Sequence, residues 1–165
     1  MHSFKDSKNN FWVIDLSVGA MRRVRSTLDI DLTQPQALVE GLALSQRLMT
    51  DVWTFVDVLF ALCGPTCTER NLSDEQFAEL LGGGVVGDAR NAFFDEWHDF
   101  FQNSGRTELA AAIRKTIAMT KAVSDEAIAQ LDRLEKELIE EATEVMSKAG
   151  DRALKDALNQ LTSGD

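Results

Sequence analysis

Residues 48–63 read LMTDVWTFVDVLFALC, and Val52, Trp53, Phe55, Val56, Val58, Leu59, Phe60 and Leu62 give them apolar side chains on nearly every side of a helix. A helix that is apolar all round is buried in a protein core or in a membrane. Spanning a bilayer takes about 20 apolar residues, and Asp51 and Asp57 interrupt this run. The pattern predicts the central helix of a small globular domain, with other helices packed around it.

Toward the N-terminus, Thr33-Gln34-Pro35-Gln36 has the form of a capping box with proline in the first turn, which predicts a helix from there to about Leu48. Thr50 then restarts the chain into the central helix. Leu28-Asp29-Ile30-Asp31-Leu32 is an extended connection. Ser17 is a candidate N-cap for a helix to about Leu28, with Val18, Met21, Val24 and Leu28 on one face and Arg22, Arg23 and Arg25 off it. Ser3–Asp6 and Phe11–Leu16 read as a β-hairpin across the turn-favouring Ser7-Lys8-Asn9-Asn10. Alternation sends Phe4, Trp12, Ile14 and Leu16 to the core. A lone hairpin is marginal in water, so this one must lie against helices.

Toward the C-terminus, Gly64-Pro65 ends the central helix. Ser73-Asp74-Glu75-Gln76 is a second capping box, with Leu72 and Phe77 at the positions of a hydrophobic staple, and that helix stops at Gly82-Gly83-Gly84. Residues 85–103 carry Phe93, Phe94, Trp97, Phe100 and Phe101 at helical spacing, and Ser104-Gly105 follows them. A helix over about Thr107–Lys121 buries Leu109, Ala112, Ile113 and Ile117. Ser124 then caps a long charged helix to about Ala149, whose thin apolar seam is Ile128, Leu131, Leu134, Leu138, Ala142 and Val145, spaced close to a heptad. A short amphipathic segment holds Leu154, Leu158 and Leu161. The predicted fold class is α+β, mainly α. An N-terminal hairpin packs on a bundle of about five helices over residues 1–122, and a charged helical extension covers 123–165.

The chain has 165 residues and a net charge of -10, unevenly placed. Residues 1–50 carry six basic and five acidic side chains; residues 51–165 carry eleven and twenty-two. An acidic surface disfavours nucleic acid, because phosphate neutralisation supplies most nonspecific affinity. The first ten residues are polar and no apolar run follows them, unlike a secretory leader. With two cysteines, this points to a reducing cytoplasm.

Each motif with chemical potential has a plainer structural reading. Gly82, Gly84 and Gly87 spell GxGxxG, but a capped helix precedes them where a dinucleotide fold places a strand, so they read as an interhelical loop and no cofactor is expected. Cys63 and Cys67 form CxxxC, too few ligands for zinc, and the histidines His2 and His98 lie on distant segments; buried thiols at a helix end fit better. His98 stands between Glu96 and Asp99 with no nucleophile or second histidine placed to work with it. Asp29-x-Asp31 reads as a helix start in preference to a cation site. Arg22, Arg23 and Arg25 form the basic cluster, which reads as a solvated face or a contact for an acidic partner. The seam of Ile128, Leu131, Leu134, Leu138 and Val145 either docks on its own domain or pairs with another helix.

The order of these features resembles a known family. The segment SFKDSKNNFWVIDLSVGAMRRVRSTLDIDL is followed by DVWTFVDVLFALCGP, then LSDEQFAELLGG and the aromatic AFFDEWHDFF. This layout, over about residues 3–121, is similar to that of the tail assembly chaperone-like proteins of phages and prophages. It includes no catalytic or ligand motif, and residues after about 122 have no counterpart. The resemblance implies a non-enzymatic, mainly helical, oligomeric protein of the host cytoplasm, one that binds a tape measure protein and tail-tube subunits. No functional residues carry over. The seam residues and Arg22, Arg23 and Arg25 are the candidate partner-binding positions. The rival reading is a stand-alone adaptor that binds an acidic partner through those arginines, and a remoter one is an enzyme built on His98.

Overall fold

The computed structural model describes residues 1–162, with side chains through Lys155. The fold is α+β and mainly α. Two compact units are present, one spanning Met1–Thr120 and the other beginning at Lys121.

Strands β1 (His2–Lys5) and β2 (Phe11–Ile14) form the antiparallel hairpin, with Phe4 opposite Trp12. The period of two turns Phe4, Trp12 and Ile14 inward, and Leu16 follows them into the core. Helix α1 (Val18–Leu28) starts at Ser17, whose hydroxyl accepts the Ala20 N–H at 3.3 Å. It buries Ala20, Met21 and Val24, while Val18 in its first turn faces solvent.

The next segment departs from the sequence expectation. Thr33 does not cap a helix: its N–H and hydroxyl both donate to Asp31 Oδ1, at 3.0 and 2.6 Å, in a local Asx turn. A small ribbon follows, β3 (Leu38–Val39) against β4 (Leu42–Ala43). Glu40 and Gly41 join the strands with φ of 52 and 85°, the pair of left-handed residues that a tight hairpin demands. Glycine in mid-helix is costly, whereas at this turn it is unstrained.

Helix α2 (Leu44–Thr50) therefore begins later than expected. The 48–63 run breaks at Asp51, which is extended and caps α3 (Val52–Leu62) by accepting from the N–H groups of Trp53 and Thr54. The buried face of α3 is Phe55, Val58, Leu59 and Leu62, and Trp53 is 78% exposed, so the helix is apolar all round but buried on one side. Gly64-Pro65 opens one more helix, α4 (Gly64–Glu69), because proline near a first turn has no intrahelical N–H to lose. In α5 (Asp74–Glu79) Ser73 and Gln76 form the expected reciprocal cap, and Phe77 is buried.

Helix α6 (Val85–Asn103) carries the aromatic core. Phe93 meets Phe55 at 5.7 Å, Phe94 at 5.3 Å and Trp97 at 5.3 Å between ring centroids. Each such ring contributes about 1.5–3 kcal/mol by burial. The hairpin lies on α6, and Trp12 packs edge-on against Phe77 at 4.9 Å. The Trp97 indole N–H donates to the Leu32 carbonyl at 2.8 Å, fixing the chain between α1 and β3.

Helix α7 runs without interruption over Thr107–Thr162. Within the first unit it buries Ala110, Ile113 and Thr116, the last hydrogen bonded to Ser45 at 3.0 Å; Leu109, Ala112 and Ile117 are half-buried. The expected break before Ser124 is absent. No glycine or proline occurs between Thr107 and Ala149, and serine in mid-helix costs well under about 1 kcal/mol, so nothing stops propagation. Leu154 continues the same helix, and the side chains of Leu158 and Leu161 lie outside the described residues.

Candidate functional site

From Lys121 the helix is amphipathic and open. Ile128, Leu131, Leu134, Leu138 and Val145 are 55–66% exposed, and Val123, Ile139 and Met146 are exposed beside them. Single exposed leucines are ordinary, but a continuous row of them on one helix marks an interaction surface. Its rims are charged. Two shallow hollows interrupt the row, one bounded by Val123, Glu126, Ala127 and Gln130, the other by Val145, Lys148, Ala149 and Arg152.

The arginine cluster is different. Arg23 donates to the Leu62 carbonyl at 3.3 Å and so satisfies the C-terminal end of α3. Arg25 lies 3.6 Å from Asp31. Two of the three arginines thus contact the chain itself, which leaves Arg22 as the one pointing outward without such a contact among the described residues.

The two histidines, far apart in sequence, meet. Asp99 Oδ2 is 2.9 Å from His2 Nε2, and Asp99 Oδ1 is 3.0 Å from His98 Nδ1. Arg114 Nε donates to His98 Nε2 at 2.9 Å. A guanidinium has no acceptor, so His98 Nε2 carries the lone pair and its Nδ1 the proton given to Asp99. Hydrogen bonds from His2 and then His98 hold the Asp99 carboxyl below its usual range. The cluster joins the N-terminal strand to α6 and α7, and Glu96 adds an acceptor at 2.9 Å for the His2 N–H. The expectation that no second histidine approaches His98 is corrected, because residue spacing says nothing of long-range pairing. The network ties the N-terminal strand, α6 and α7 together, and among the described residues no serine, threonine or cysteine side chain takes part in it.

Cys63 and Cys67 are free and buried. Burial pushes their thiols up to about 12 and about 11, the neighbouring Cys67 adding to the effect on Cys63, so neither supplies a thiolate near neutral pH. Among the described residues, no group of three or more His, Cys, Asp or Glu side chains could hold a metal ion. Gly82 and Gly84 lie between α5 and α6 and Gly87 falls in the first turn of α6, so no parallel strand precedes them. A cavity of about 460 Å³ opens between α1, α2, α3 and the β3–β4 ribbon, with Leu28, Ile30, Val39 and Leu44 as its apolar wall and Asp57 and Arg47 on its polar side. Of its polar groups, Arg47 pairs with Glu40 at 3.0 Å and Asp31 accepts from Thr33. No sequence signal pointed to this cavity, because the ribbon that walls it was expected to be helix.

Among the described residues no helix is long and apolar enough to cross a membrane. No known protein family, curated protein or solved structure matches this chain.

Proposed function

We propose that this chain is a non-enzymatic, protein-binding protein of the tail assembly chaperone kind. It acts as a homo-oligomer in the cytoplasm and takes a tape measure protein and tail-tube subunits as partners. The observation that carries this reading is the open apolar row Ile128, Leu131, Leu134, Leu138 and Val145 on α7, with charged rims on both sides. An amphipathic partner helix laid along such a face would gain apolar burial along the row and ionic register from the rims. The partners named are those that the layout resemblance over residues 3–121 implies. The arginine reading has less support, since Arg23 and Arg25 contact the chain itself.

The test is capture of partners by the tagged full chain from its source cells, compared with a Leu131→Asp/Leu138→Asp variant. Recovery of a long helical tape-measure-like protein or tail-tube subunits by the natural chain alone supports the reading. Recovery of only a regulatory protein, or equal capture by the variant, overturns it.

A further inference from the structure

We infer that the segment from Lys121 onward pairs with the same segment of a second copy, antiparallel, about a two-fold axis close to Leu138. This names the occupant of the apolar row and rests on reading that row as a binding surface.

Three features of the helix lead there. The first is the period. Val123, Leu134 and Val145 repeat at eleven residues, as do Ala127, Leu138 and Ala149, and Leu131, Ala142 and Ala153. An eleven-residue repeat is about 3.67 residues per turn, close to the natural 3.6, so the row stays on one side of the helix along its length. A straight facing helix can then touch all of it.

The second is the pair of hollows. Each contains residues i, i+3, i+4 and i+7, with alanine at i+4: Val123, Glu126, Ala127 and Gln130, then Val145, Lys148, Ala149 and Arg152; Ala122 completes the first lining and Asp151 the second. Such a frame is the hole that receives a side chain from a facing helix. The two are twenty-two residues apart, roughly 33 Å along the axis. Their midpoint falls between residues 137 and 138. A two-fold axis there brings each hollow of one copy opposite the other hollow of its mate, with Leu134 and Leu138 of both copies at the centre. The alanines at both ends permit close approach where the hollows meet.

The third is charge. Residues 121–144 hold eight acidic and three basic side chains, whereas residues 145–155 hold Lys148, Arg152 and Lys155 against Asp151. Residues 131–144, with six of those acidic side chains, face their own copy in either arrangement, so the two differ at the ends: a parallel pair sets 121–130 and 145–155 each against itself. The antiparallel pair sets Glu126 on the rim of one hollow beside Lys148 on the rim of the other, twice over. Glu137 and Glu141 approach their mates near the axis, which opposes pairing there; the complementary ends and the central leucines oppose that in turn. Ile128, at one edge of the row, lies on the flank with Ile139 and Met146 and stays available to a client helix once the leucines are paired.

The experiment uses the full chain. Sedimentation at micromolar concentrations is expected to show a dimer. Separately tagged Ala127→Cys and Ala149→Cys copies, mixed and mildly oxidised, are expected to form a disulfide between the two tags, and neither variant is expected to link to itself. Both positions are exposed, and the native thiols are buried, so the new cysteines alone report. Self-linking of either variant means a parallel pair and overturns the inference. A monomer at every concentration also overturns it. A monomer that still captures tail proteins through Leu131 and Leu138 leaves the proposed function standing, and an antiparallel dimer that captures none keeps the pair and removes the chaperone reading.

Discussion

The indole N–H of Trp12 donates to Asp6 Oδ2 at 2.9 Å, inside the hairpin and out of reach of solvent. Asp6 also accepts from the backbone N–H groups of Lys8 and Asn10, at 2.8 and 2.9 Å, and from the Asn10 amide. One carboxylate therefore shapes the turn and anchors the largest side chain of the strand that follows. The Ser7 N–H, donating to the Leu80 carbonyl at 3.0 Å, ties the same turn to the end of α5.

Burial alone would raise the Asp6 carboxyl, but the hydrogen bonds from Trp12, Asn10 and Lys8 outweigh it and bring the pKa from 3.8 down to about 2. A depressed carboxylate stabilises the fold above its unfolded value, and the contribution disappears as pH falls through the folded one. The shift is worth about 2 kcal/mol, lost between pH about 4 and about 2. Asp6→Asn should cost a similar amount at neutral pH and flatten the acid limb of stability. Urea midpoints across that range check it; an unchanged acid limb would show that Asp6 does not set it.

Trp97→Phe should destabilise the protein by about 2–3 kcal/mol. It leaves the buried Leu32 carbonyl without its indole donor and opens space beside Phe93 and Phe101. Chemical denaturation measures this directly. The half-buried Phe100 is the control: Phe100→Leu at the edge of the same cluster should cost clearly less.

Cys63 and Cys67 should resist alkylation in the folded protein at pH 8 and react within the mixing time of a denaturant. Mass spectrometry of labelled protein counts the modified thiols. Fast native labelling would mean that the α3–α4 junction opens readily.

Leu131→Asp/Leu138→Asp should leave thermal unfolding of the chain's aromatic core almost unchanged, because exposed substitutions away from packing shift stability by about 0.5 kcal/mol or less. Near-ultraviolet circular dichroism follows that core through Trp12 and Trp97. A large drop in melting temperature measured where the natural chain is monomeric would mean that the row supports the fold instead of binding a partner.

Where an element is specified within a few residues, it was legible before any coordinates. Ser17 starts α1, Ser73 and Gln76 box α5, the aromatics of 85–103 make α6, and alternation in the hairpin names Phe4, Trp12, Ile14 and Leu16 as core. Each rests on a period, or on a cap formed by neighbours along the chain. Local signals misled where two of them competed. Thr33-Gln34-Pro35-Gln36 looks like a cap, yet Asp31 claims Thr33, and Glu40-Gly41 turns the chain into a ribbon.

The amino-acid order by itself determined the helical class, the hairpin with its inward face, and the apolar row on the last helix, because side-chain periodicity is a property of neighbours. Tertiary structure alone decided that His2 meets His98 across Asp99, that Trp97 reaches back to Leu32, and that the ribbon walls a cavity. Those contacts join residues many positions apart, and their geometry follows from how the whole core packs, which no short stretch of sequence contains.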